Sequence, residues 1–157
     1  MQIKATLKLE HVNLRSERHG EEEGADTGVD LKLTGALLVS QMGQFWHNPE
    51  TWNRLQGAFW EDEPEELKVV GIGFVPNDSD FKNCRVDLRP EFSDDLALSE
   101  CSVNQHKFRP LPGGLCEGKL RGQCHPDREE IAELAGMIKR EFTVEIWSPQ
   151  MDLLDAA

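Results

Sequence analysis

Hydrophobic and polar residues alternate from the start of this chain, with Ile3, Ala5, Leu7 and Leu9 separated by Lys4, Thr6 and Lys8. A two-residue period sends one set of side chains to each face, so the segment reads as a half-buried β-strand. The parity then reverses, and Val12 and Leu14 become the apolar positions. One extra residue near Glu10–Val12, a β-bulge, accounts for the reversal. Alternation returns at Val29, Leu31, Leu33, Leu37 and Val39, a second strand with a bend at Gly35.

The period changes at residues 45–60. Asn48 suits a helix N-cap and Pro49 the first helical position, where its missing N–H costs nothing. Trp52, Leu55 and Phe59 follow at helical spacing, and His47 is placed to staple against Trp52. Aromatic residues so spaced belong to a core. The run LKVVGIGFV (67–75) is apolar on both faces, as a central strand is. Cys84, Val86 and Leu88 share one side of the next strand, at 83–89, and Cys101 and Val103 one side of a strand over 97–109. PLPGG (110–114) is a turn, and the strand after it puts Cys116, Gly118, Leu120, Gly122 and Cys124 on one face.

Asp127 and Glu130 have capping-box spacing, and Ile131, Leu134, Ala135 and Ile138 form an apolar stripe, which predicts a helix over 128–139. EFTVEIW (141–147) alternates with Phe142, Val144 and Ile146 inward, so Trp147 points outward. These elements predict an α+β domain of predominantly antiparallel β-structure, a sandwich or partly open barrel with two short helices. It occupies 1–148, and 149–157 is expected to fray as a C-terminal tail.

Composition narrows the function classes. The 157 residues carry a formal net charge of −12, which repels bulk nucleic acid and anionic membranes. Apolar runs fall well short of the ~20 residues of a membrane span, and the N-terminus lacks a signal-peptide core, so the cytoplasm is the expected location and no membrane is expected as partner.

Four cysteines, Cys84, Cys101, Cys116 and Cys124, with His125 beside the last, raise the question of a metal site. On one strand Cys116 and Cys124 stand roughly 26 Å apart. Two thiolates on one zinc lie within about 4 Å. All four cysteines occupy the apolar parity of their strands, where a thiol behaves as a small hydrophobe. A site assembled across strands from Cys124, His125 and Cys101 or Cys84 stays open; the expectation is no metal and no cofactor.

His125–Pro126–Asp127 matches a co-chaperone tripeptide, but here it follows a strand and starts a helix. GIG (71–73) has Pro76 where a dinucleotide fingerprint needs its third glycine. Asp78 and Asp80 lack the glycine and distal glutamate of a calcium loop. No nucleophile motif is present, so no catalytic residue is assigned and the chain is expected not to be an enzyme.

Charge distribution carries what remains. Residues 16–28 hold Glu21, Glu22, Glu23 and Asp26, a solvated loop or an acidic recognition loop that imitates phosphates. In contrast, Lys107, Arg109, Lys119 and Arg121 stand against one acid, Glu117, within 101–125. As a hairpin this segment is a basic ribbon with Phe108 near its tip, able to follow a phosphate backbone while an aromatic stacks on a base. Cations on edge strands also serve to prevent unwanted pairing.

The run VNLRSERHGEEEGADTGVDLKLTG (12–35), with its Arg18–His19–Gly20 turn between two strands, resembles the N-terminal part of small uncharacterised tailed-phage proteins of early or recombination gene clusters. The similarity covers about a sixth of the chain and transfers no catalytic residue; the insert EEEGADTG departs from the common pattern. It implies a phage origin, a setting inside the bacterial host cell, and DNA metabolism or host takeover. The leading expectation is a non-enzymatic phage accessory protein. It binds a host or phage protein, modulating a host defence or DNA-processing factor through Glu21, Glu22, Glu23 and Asp26, with Trp147 as anchor. The alternative is a single-stranded nucleic-acid-binding accessory of recombination that uses Lys107, Phe108, Arg109, Lys119 and Arg121.

Overall fold

Among the described residues, seven antiparallel strands realise this alternation: β1 (Gln2–Glu17), β2 (Asp26–Leu38), β3 (Val75–Asn77), β4 (Phe81–Arg89), β5 (Leu96–Leu111), β6 (Leu115–Cys124) and β7 (Glu141–Trp147). A computed structural model gives the structure, which describes residues 1–17, 26–61, 66–69 and 71–149. The expected tail therefore lies outside the described residues, Pro149 excepted.

Six strands close into a barrel in the order β5-β4-β7-β1-β2-β6, and β6 returns to β5. A sandwich or partly open barrel was expected, and the closure depends on β5. Its first half pairs with β4 from Leu96 to Val103, and its other edge pairs with β6 from Ser102 to Leu111. One strand of 16 residues thus serves both ladders. Past the end of β4, β5 also pairs with β3, Val75 lying opposite Phe108.

Inward residues follow the predicted parities. Ile3, Leu7 and Leu9 of β1, Leu31 and Leu33 of β2, Val86 and Leu88 of β4, Leu120 of β6 and Val144 and Ile146 of β7 are all buried in one core cluster. The β1 bulge falls between Leu9 and His11. Beyond it Val12 is half-buried, whereas Leu14 is exposed. Gly35 lies where β1 comes close: a Cβ there would stand 2.8 Å from the Thr6 carbonyl oxygen. The missing side chain is what lets the two strands approach.

Among the described residues there are three helices rather than two: α1 (Val39–Met42), α2 (Pro49–Phe59) and α3 (Arg128–Met137), with a 3₁₀ turn at Gly43–Phe45. Val39 keeps the strand parity, which predicts β2 through that residue, but Val39, Met42 and Phe45 recur every third residue and are buried together in α1 and the turn after it. Asn48 caps α2 by accepting from the Glu50 N–H at 3.0 Å. Trp46, not His47, covers the helix start, stacked on Trp52 with ring centroids 4.9 Å apart. His47 is exposed. The capping box of α3 is complete, with Glu130 N–H donating to Asp127 at 2.8 Å and Asp127 N–H donating to Glu130 at 2.9 Å.

Among the described residues of 67–75 the expected central strand is not found: an isolated bridge between Leu67 and Trp60 and the start of the short β3 are what appear there. Gly71 takes a φ of +76°, which breaks an extended run, and the Lys68 N–H is held instead by the Phe59 carbonyl at the end of α2. Leu67, Val69, Ile72 and Val75 still pack on the core, which explains their apolar character without a ladder. Among the described residues no helix is long and apolar enough to cross a membrane.

Candidate functional site

Five cations of the outer wall lie on the adjacent strands β2, β6 and β5. Lys107 stands opposite Lys119 and Arg109 opposite Glu117 on the β5–β6 hairpin. Arg121 stands opposite Lys32 on β2, and Lys119 opposite Thr34. Directly opposed residues of antiparallel strands share a face, so the register collects Lys32, Lys107, Lys119 and Arg121 in one place. They line a shallow groove of about 340 Å³, with Asn13 and Gln105 at its sides and Asp30 as its one acid.

Asp30 is taken up by Arg15 at 3.0 Å and Arg121 at 3.9 Å. Arg109 is paired with Glu117. Lys32, Lys107 and Lys119 form no ion pair among the described residues. Like charges set directly opposite one another weaken a sheet. Two such juxtapositions, Lys107–Lys119 and Arg121–Lys32, give the groove a local excess of positive charge on a chain of net charge −12.

A second bulge decides which hairpin side chains reach the groove. The β5–β6 register shifts between Asn104 and Lys107, and Gln105 adopts a φ of +53°. Without the extra residue, Lys107 and Arg109 would share the inward parity of Cys101 and Val103. With it they turn outward while His106 and Phe108 turn in.

That reversal corrects the role expected of Phe108. It is 3% exposed, its ring 4.7 Å from Phe45 and 5.6 Å from Trp46, and it cannot stack on a base. The aromatic of the outer wall is Phe74, with the Lys119 ammonium 4.2 Å and the Arg109 guanidinium 4.9 Å from its ring centroid. Such cation–π contacts hold both head groups in place. Phe74 and Lys32 were missed because the former sits in a run that reads as buried strand and the latter joins the hairpin only through long-range register.

The other expected site residues are scattered. Trp147 is 44% exposed on β7, opposite Gln2 and Arg85, and the structure does not bring it to the groove. Glu21, Glu22 and Glu23 lie outside the described residues; Asp26 begins β2 opposite Glu17.

All four cysteines are free and buried. Cys84 pairs with Cys101 across β4 and β5, and Cys101 hydrogen-bonds Cys124 of β6. The three therefore form a row over adjacent strands on the inner face of the barrel. His125 is exposed, and among the described residues no group of three or more His, Cys, Asp or Glu is arranged to hold a metal. Burial pushes the Cys116 thiol up to about 12, and the hydrogen bond with Cys124 together with burial raises Cys101, so both stay protonated. Asp80 pairs with Lys82 at 2.9 Å, and the Ser79 N–H donates to Asn77, which makes 77–80 a polar turn.

Comparison with protein-family models, with curated proteins and with solved structures finds no match to this chain.

Proposed function

We propose that the protein binds single-stranded nucleic acid along the β2–β6–β5 wall, through Lys32, Lys107, Lys119 and Arg121, with Arg109 held beside them by Phe74. The observation that carries this reading is the groove in which three lysines, without ion pairs among the described residues, are held together by register on an otherwise acidic chain. Phosphates neutralised there release counterions, so binding must weaken steeply with salt.

The test is fluorescence anisotropy with a labelled oligonucleotide of about 16 nucleotides, titrated between about 50 and 200 mM salt. Replacing Lys32, Lys107 and Lys119 together by alanine is expected to lower affinity about 10–100-fold at the low end and to reduce the salt slope by about 2. These side chains face outward, so the fold is retained. Salt-insensitive binding, no binding by the parent protein, or a variant that binds as well as the parent would sink the proposal.

Protein binding through the acidic surface, modulating a host defence or DNA-processing factor, is the second reading. Its observation is Trp147, a large apolar side chain left half uncovered beside Arg85. It predicts that Trp147→Ala releases a partner captured from nuclease-treated bacterial lysate. Unchanged capture would remove Trp147 as the anchor.

A further inference from the structure

The outer wall carries more than cations. In the register of β2, β6 and β5, Leu38 stands opposite Leu115 and Leu115 opposite Leu111, so three leucines form a row across one end of the wall. They share the outward parity of Ala36, Glu117 and Arg109 in the next row, and of Thr34, Lys119 and Lys107 in the row after it. The core cluster of the described residues includes none of the three leucines, and Leu38 is 54% exposed. Along β6 the row at Leu115 lies four residues, roughly 14 Å, from the row at Lys119. Between them Glu117 is taken up by Arg109.

An apolar row and a cationic row so spaced match a ligand that carries its apolar and anionic groups apart. A nucleic-acid strand finds no ring in the leucine row on which a base could stack. A second copy laid face to face sets lysine against lysine, which opposes association. We infer that this wall, from Leu38, Leu115 and Leu111 to Lys119 and Lys107, is a docking surface for an acidic segment of a partner protein, with apolar side chains at one end and carboxylates about four residues further along. The apolar end covers the leucine row, and taking those side chains out of water favours binding. The carboxylates meet the ammonium groups, which fixes the direction in which the segment lies. Both edges of β6 are already paired, so the segment rests on side chains and adds no strand. The surface shares Lys107 and Lys119 with the nucleic-acid reading but does not rest on it.

The probe is a labelled synthetic peptide of about 12 residues with its leucines grouped at one end and its glutamates at the other, compared with a peptide of the same composition in which the two alternate. Anisotropy is read on the full chain at about 150 mM salt, where charges more than about 8 Å apart are screened and the acidic remainder of the chain is little felt. The grouped peptide is expected to bind at least about tenfold tighter than the alternating one, and Leu38→Ser to bring that preference below about threefold. Leu38 lies outside the core, so the variant folds, and its oligonucleotide binding is expected to be unchanged. Peptide binding without oligonucleotide binding would uphold this inference and sink the nucleic-acid reading alone. Equal binding of the two peptides, or an unaltered preference in Leu38→Ser, would overturn it. So would a matching loss of oligonucleotide affinity in Leu38→Ser, because the leucine row would then belong to the nucleic-acid face, or a dimer in sedimentation that Leu38→Ser dissociates, because the occupant would then be a second copy.

Discussion

Phe45→Ala is expected to remove about 3–5 kcal/mol of folding stability, the range for deleting a buried aromatic ring. The ring is fully buried and lies 4.7 Å from Phe108, 4.9 Å from His106 and 6.1 Å from Phe81, so alanine leaves a void shared by three elements. The Phe45 carbonyl accepts from Asn77 Nδ2 at 3.0 Å and from the Ser79 hydroxyl, which ties the 3₁₀ turn to the end of β3 and the turn that follows it. A void under that carbonyl loosens both donors. Phe108 is also the inward neighbour of Lys107 and Arg109, so the same void weakens the support of the cationic wall. Urea unfolding followed by tryptophan fluorescence reads the loss, and a change below about 1 kcal/mol would show that the cluster is not the hub of the fold.

Acid is expected to cost the protein about 3 kcal/mol through His106 alone. The imidazole is enclosed by Phe45, Phe81 and Phe108, and burial lowers it from 6.5 to about 4, against weaker opposite pulls from the Ser79 backbone and Asp80. In the unfolded chain the ring takes a proton below about 6.5, while in the folded chain it stays neutral until about 4. The unfolded state therefore binds more protons across that window, and stability falls as pH drops from 6.5 towards 4, then loses nothing further from this group. Glu10 acts lower. The Lys139 ammonium, 2.8 Å away, holds its carboxyl at about 2, so its contribution fades only as pH falls below 4.5. His106→Leu is expected to flatten the upper window and leave the lower one. A variant whose stability still falls between pH 6.5 and 4 would assign that loss elsewhere.

What could be read in the chain was local. The bulge of β1, the faces of β6 and β7 and the capping box of α3 each follow from a few adjacent residues, and each is present. What escaped was set by contacts distant in sequence or by a backbone choice without a marker. Gln105 takes a positive φ with no glycine to announce it, and that residue decides whether Phe108 or Lys107 meets solvent. Lys32 joins Arg121 only because β2 and β6 pair, about 90 residues apart in the chain. The run at 67–75 has the composition of a buried strand because its apolar side chains pack on the core, but Gly71 at positive φ and the anchoring of Lys68 to α2 keep it out of the ladder.

Closure of the barrel also sets an order of events during synthesis. One edge of β1 pairs with β2 within the first 40 residues, but its other edge pairs with β7, Ile3 lying opposite Ile146. At about 5–20 residues per second, a ribosome leaves that second edge unpaired for on the order of ten seconds. Of the strands made in between, β6 pairs with β2 and β5, β5 with β4, and the second edge of β4 likewise waits for β7. The nascent β1–β2 hairpin thus offers a bare row of amides beside Lys4 and Lys8, outward charges of the kind that discourage wrong pairing. The seam sealed last is therefore the one most in need of protection while the chain is still being made.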